Sequence, residues 1–94
     1  WVLRTLTNLL ANIRDIRRLG AAAIDLCYLA QGKIDAFYEI DLQPWDVSAG
    51  VLIVLEAGGK VTNAMGDTFS LESKSIVASN SKVHDVLLEY IEDI

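Results

Sequence analysis

The stretch Pro44-Trp45-Asp46-Val47-Ser48-Ala49-Gly50-Val51-Leu52-Ile53-Val54-Leu55-Glu56-Ala57-Gly58-Gly59 decides the fold class. Pro44 fits the first turn of a helix, where its missing N–H is not needed and its fixed φ is already helical. The body of that helix is almost wholly apolar, so it belongs inside a layered core. Gly58-Gly59 stops it. Upstream, Ile34-Asp35-Ala36-Phe37-Tyr38-Glu39-Ile40 carries β-branched and aromatic residues with partial alternation and reads as a strand. Downstream, Lys60-Val61-Thr62 reads as a strand and Asn63-Ala64-Met65-Gly66-Asp67 as a turn. Ser75-Ile76-Val77-Ala78-Ser79 is a further strand, after which Asn80 or Ser81 can cap a last helix with Val83, Val86, Leu87, Tyr90 and Ile91 facing inward.

Towards the N-terminus, residues 21–31 are apolar nearly all round and rich in helix formers, with Gly32 placed to end the helix. Leu3, Leu6, Leu9, Leu10 and Ile13 recur at helical spacing and predict an amphipathic helix over 2–13. Ile13, Ile16 and Leu19, set among arginines, read either way, and a short strand before Gly20 is one reading. Helices alternating with short strands give an α/β class of layered helices and β-strands. This pattern leaves the strand order open.

Composition narrows the function classes. Ninety-four residues make one small domain, and 52% hydrophobic against 22% charged residues is too apolar for a disordered chain. The single Cys excludes an internal disulfide framework. No strictly apolar run, 51–55 included, approaches the roughly 20 residues of a membrane span. No signal peptide is visible, and a free thiol fits a reducing cytoplasm. The chain opens at Trp1 rather than Met, as a fragment or a processed piece would, and its hydrophobicity hints at a missing partner surface. Arg4, Arg14, Arg17 and Arg18 against Asp15 give the first eighteen residues +3, and the remainder carries −8, which together make the net −5. An acidic chain is a poor binder of nucleic acid, because phosphate backbones demand clustered Lys and Arg.

Chemistry concentrates between Glu39 and Gly59. Asp46 reads two ways on its residues alone. In the first turn of a helix, a carboxylate caps or complements the dipole, worth roughly 0.5–2 kcal/mol. Beside Trp45, and after a strand ending near Glu39, the same carboxylate suits a hard cation such as Mg²⁺, which takes oxygen ligands and keeps several waters.

Residues 44–59 resemble the second signature of the inositol monophosphatase family: a Trp-Asp pair, a small-residue helix start and an apolar turn, closed by Glu-Ala-Gly-Gly. The resemblance extends upstream through Arg17-Arg18-Leu19-Gly20-Ala21-Ala22-Ala23 and Asp35-Ala36-Phe37-Tyr38-Glu39, and downstream through Ile76 to Ser79-Asn80. It covers the chain from about Arg14 to its end and matches the C-terminal αβ domain of a sugar-phosphatase fold. It implies that Asp46 is a ligand of a catalytic Mg²⁺. It implies that Glu39, seven residues earlier, contacts substrate hydroxyls, and that the backbone of Gly20, Ala21 and Ala22 lines the sugar-alcohol pocket. Many relatives carry Ser or Thr where Ala21 stands, so a hydroxyl contact there is lost while a backbone contact survives. Trp45 is expected to pack rather than react.

The family's first metal site, a Glu and an Asp-Pro-(Ile or Leu)-Asp-Gly-Thr segment, lies upstream, and no Asp-Pro occurs in this sequence. The resemblance therefore implies a Mg²⁺-dependent phosphomonoesterase acting on inositol monophosphate or a similar small polyol phosphate. It implies a homodimer as well, and a chain inactive without its N-terminal half. Two alternatives stay open. One is a relative that hydrolyses fructose 1,6-bisphosphate or 3′-phosphoadenosine phosphates, and the other is a non-catalytic interaction module that keeps the fold. Glu39 speaks against the bisphosphate, because a carboxylate there repels a second phosphate. Among lesser candidates, Cys27 is expected as a small buried hydrophobe and His84 as an exposed side chain. Asp25, Asp35 and Asp41 read as surface or ion-pair acids. Arg17 faces either a substrate phosphate or a neighbouring subunit.

Overall fold

The computed structural model describes residues 1–13 and 21–91. Its elements are α1 (Val2–Leu9), α2 (Ala22–Ala30), β1 (Ala36–Ile40), α3 (Pro44–Glu56), β2 (Lys60–Thr62), β3 (Ser75–Ser79) and α4 (His84–Tyr90). The strands form one antiparallel sheet in the order β1-β3-β2. Glu39 pairs with Ile76 on one edge strand, and Thr62 pairs with Val77 on the other. The fold is α/β, as the sequence predicts.

The two faces of the sheet follow from the two-residue period of a strand. Ile76 and Ala78 point to one side, where they join Leu26 and Leu29 of α2, Val47 and Val54 of α3, and Val61. Val77 points to the other side and joins Leu9 of α1 with Leu87 and Ile91 at the α4 end. Three layers result, α2 and α3 against the sheet and the sheet against α1 and α4. β3 is central and buried along its whole length. Each fully buried Leu, Ile or Val contributes about 1.5–3 kcal/mol relative to its exposed state. At Gly50 the contact between α2 and α3 is so close that an added Cβ would lie 2.7 Å from Leu26 Cδ1. The glycine is there for helix approach, since its φ is helical.

Turn chemistry is where punctuation places it. Gly32 (φ +79°) and Gly58 (φ +89°) adopt left-handed conformations just past α2 and α3, which only glycine adopts without strain. Pro44 occupies the first turn of α3. The turn after β2 is held by Asn63, whose Oδ1 accepts the Met65 and Asp67 N–H groups at 2.9 and 3.0 Å.

Four expectations are corrected. α1 stops at Leu9 rather than reaching 13, and Leu3 and Leu10 are exposed, because only Leu9 of that stripe reaches the Val77 cluster. α2 is one-sided rather than buried nearly all round: Leu26 and Leu29 are enclosed while Ile24 is exposed. The last helix has no side-chain cap from Asn80 or Ser81. Ser81 instead takes a positive φ of 78° and sends its hydroxyl to the Gly58 carbonyl at 2.6 Å. Val83 and Val86, expected inward, are exposed, since the helix begins with His84 and turns Leu87 to the sheet. The strand expected near Ile16 and Leu19 lies outside the described residues.

Candidate active site

The path α2, short turn, β1, short turn, α3 fixes where the candidate residues gather. β1 runs back against α2, and α3 runs back against β1, so both helices begin at the end of the sheet where β1 finishes. Ala21 and Ala22, Glu39 and Asp46 therefore belong to one pole of the molecule. Gly20, with Arg14, Arg17 and Arg18, lies outside the described residues.

Asp46 is held at this pole by its own helix start. Gln43 donates its backbone N–H to Asp46 Oδ2 at 3.0 Å, and the Asp46 N–H bonds back to the Gln43 carbonyl at 2.9 Å. The residue three positions before Asp46 thus fixes the carboxylate's rotamer, as in the reciprocal pairing of a capping box. The capping reading of Asp46 is what the geometry displays: one oxygen caps α3, and the carboxylate is half-buried. Gln43 was not among the expected site residues, although its spacing of three from an acid just past a proline is the signal that marks it.

Glu39 points to the α2–α3 side of the sheet, where it lines a shallow cleft with Leu42, Val47, Phe69, Lys74 and Ile76. Val47 follows Asp46, so this cleft adjoins the start of α3. Glu39 Oε1 accepts the N–H of Ile40 at 3.1 Å, which orients the carboxylate along the strand end. Ala21 is the N-cap of α2 with extended backbone, and no side chain among the described residues caps that helix. The Ala21 carbonyl accepts from Ile24 and Asp25, each at 3.1 Å, which starts the helix.

Trp45 does not pack as expected: it is 76% exposed, directed away from the core at the second position of α3. Asp41 is exposed with φ +59°, its N–H bonded to the Lys74 carbonyl at 2.8 Å. Asp35 is a surface acid bonded to Asn80. Cys27 is half-buried. Among the described residues no three His, Cys, Asp and Glu side chains come together. Asp46 by itself offers one hard carboxylate, an oxygen donor of the kind Mg²⁺ takes, and an incomplete shell on its own.

The largest departure is His84. Expected at the surface, it is 0% exposed, and both ring nitrogens are hydrogen-bonded. Nδ1 meets Ser79 Oγ at 2.7 Å and Nε2 meets Thr62 Oγ1 at 2.9 Å. Burial pushes its pKa below the ordinary value, nearby Lys60 pushes the same way, and Asp85 opposes. This Ser–His contact has the length of a nucleophile–base pair, but no substrate reaches a fully enclosed hydroxyl. It lies towards the opposite end of β3 from Ser75, away from the pole of Asp46.

Comparison with known proteins identifies relatives of the chain. A chloroplastic phosphatase of Arabidopsis thaliana is 51% identical over 78 residues, 83% of this chain and 21% of its own length. An inositol-1-monophosphatase of Mesorhizobium japonicum is 41% identical over 87 residues, 93% of this chain and 33% of its own. The crystal structure of the extragenic suppressor protein suhB from Bartonella henselae superposes with a TM-score of 0.92 at 41% identity, covering 98% of this chain and 36% of that one. The chain thus spans about a third or less of the length of these relatives. The inositol monophosphatase family model matches residues 3–94, and the chain belongs to that family.

Proposed function

We propose that this chain is the C-terminal part of a Mg²⁺-dependent phosphomonoesterase that hydrolyses inositol monophosphate or a similar small polyol phosphate. The observation that supports the reading is the membership of residues 3–94 in the inositol monophosphatase family, with Asp46 and Glu39 on either side of the short turn from β1 into α3. The name of the Mesorhizobium relative supports it.

In this reading Asp46 holds a cation through Oδ1 while Gln43 fixes Oδ2. Bound there, Mg²⁺ supplies charge neutralisation for phosphoryl transfer and an activated water. Glu39 accepts hydrogen bonds from the hydroxyls of the polyol. The backbone at Gly20, Ala21 and Ala22 positions the ring from the opposite wall. Positioning by such groups is most of what the chain itself contributes, because phosphoryl transfer asks little covalent chemistry of the protein. The remaining acidic ligands come from the upstream half of the polypeptide, so the 94 residues alone do not turn over substrate. That half, and a second copy in a homodimer, would also cover apolar side chains such as Leu52, Leu55 and Ile24, which stand exposed on α3 and α2.

The test is phosphate release from inositol 1-phosphate by the complete polypeptide, with and without Mg²⁺. Mg²⁺-dependent turnover that collapses in Asp46→Asn supports the reading. Absence of turnover from a folded protein across small phosphates, fructose 1,6-bisphosphate included, refutes it in favour of a binding role. Preference for the bisphosphate would instead reassign the substrate within the family.

A further inference from the structure

The hydrogen bonds around His84 determine its protonation. The Thr62 hydroxyl donates to the Asn63 carbonyl at 2.8 Å, so its oxygen is left to accept, and His84 Nε2 must carry a proton. Ser79 Oγ already accepts the Ser81 N–H at 3.1 Å, and its own proton points to Nδ1 at 2.7 Å. The relay runs in one sense, from Ser81 N–H through Ser79 and the neutral ring to Thr62 and the Asn63 carbonyl. Every member is satisfied, and three elements meet in it: β3 through Ser79, β2 through Thr62 and α4 through His84. In a dry site such a network is strong when complete and costly when any donor or acceptor is stranded.

We infer that this relay is an acid-released latch: neutral His84 fastens α4 to the sheet, and a proton on Nδ1 undoes it. A proton there meets the Ser79 hydroxyl proton head-on. The hydroxyl must then turn its proton away and accept from the ring instead, which breaks the one-way sense of the relay. Among the described residues the ring's two hydrogen bonds go to hydroxyls rather than to a carboxylate, and Asp85 favours the charge only from a distance. The charged groups that face it are Lys60 from β2 and Asp85 from α4, whose own pairing at 3.8 Å is largely solvent-exposed, and β3 presents Ser79. Opening α4 lets the ring take its proton in water instead. The sign follows from linkage: the open state binds the proton more readily, so the closed state is fully favoured above the ordinary His pKa and loses ground as pH falls below it. The latch is independent of the proposed phosphatase chemistry.

Peptide-resolved hydrogen exchange on the complete polypeptide, corrected for intrinsic rates, reads the opening of α4 directly. Leu87 N–H, bonded to the Val83 carbonyl at 2.8 Å, falls in the reporting segment, and α3 serves as the internal reference. With an open-state pKa of about 6.5, opening of α4 should rise roughly five- to tenfold between about pH 7.5 and about pH 5.5, with α3 unchanged. His84→Gln, whose amide donates and accepts but does not titrate, should lose that pH step. An unchanged α4 in the parent protein, or an equal step in His84→Gln, would overturn the latch. Should His84→Gln not fold, Thr62→Val serves instead: it strands the Nε2 proton and should raise α4 exchange already at neutral pH. Undisturbed α4 exchange in Thr62→Val would likewise overturn it.

Discussion

The two poles of this small sheet handle polar groups in opposite ways. Where α2 and α3 begin, Asp46 and Glu39 each accept a local backbone N–H and stay half-buried. Towards the other end, Ser79, His84 and Thr62 are enclosed, and every valence is consumed internally. A pole that is to bind something must keep donors and acceptors in reserve. A pole that only holds the chain together gains from leaving none. Substitutions at the first should therefore change activity at nearly constant stability, and substitutions at the second should do the reverse.

The sharpest test of that contrast is Asp46→Asn in the complete polypeptide. Asn keeps the shape and an acceptor for the Gln43 N–H but forfeits the charge that would hold a cation. Mg²⁺-dependent phosphate release should fall on the order of 10²–10³-fold, the scale of losing one electrostatic anchor at a reacting centre. The urea midpoint should move by the equivalent of only about 0.3–1 kcal/mol, for the lost helix-dipole interaction. A large loss of stability with unchanged activity would dissolve the distinction between the poles.

Gly59→Ala should break the opposite pole. An added Cβ there would meet Val54 Cγ1 at 2.6 Å and the Ser79 carbonyl oxygen at 2.7 Å, and the second of these is backbone that cannot swing aside. Overpacking of this kind costs about 1–3 kcal/mol. The measurement is a urea midpoint, and turnover of the folded fraction should stay within about twofold of the parent on the same reasoning, since no group at the Asp46 pole is touched.

Sequence reading succeeded where the signal is local. Pro44 and Gly58 bracket α3, and Ser75–Ser79 is a run of small and β-branched residues ending at a turn, so both elements stand where expected. The start of α3 also marked Asp46 because proline, acid and apolar body lie within one turn of each other. The His84 relay was not legible for the converse reason. A lone histidine carries no periodicity, and its partner Thr62 is 22 positions away, brought in only by the β2–β3 pairing. Trp45 misled because an aromatic residue beside a buried helix suggests packing, yet the second position of α3 points off the core. Val86 misled similarly: its spacing fits the apolar stripe, but the stripe is set by where α4 starts.

A smaller effect is expected at Glu39. Glu39→Gln keeps the acceptor for Ile40 N–H and removes the charge that a polyol hydroxyl would meet. KM for inositol 1-phosphate should rise about tenfold, the worth of a charge-assisted hydrogen bond over a neutral one, with kcat little changed. If kcat falls instead and KM holds, Glu39 acts on the reacting phosphate rather than on the hydroxyls. That result would move the polyol to another wall of the cleft.

The mildest change probes whether the working pole really holds its valences in reserve. Ala21 sits at the N-cap of α2 with φ −142° and ψ 105°, a conformation that a capping serine adopts readily. Ala21→Ser would supply the side-chain cap that Ala21 cannot and should stabilise the protein by about 1 kcal/mol, read as a raised thermal or urea midpoint. If the first N–H groups of α2 serve the polyol, the new hydroxyl either substitutes for them or competes with them, and KM must shift in one direction or the other. Higher stability with an unmoved KM would show that the start of α2 has no part in holding the substrate.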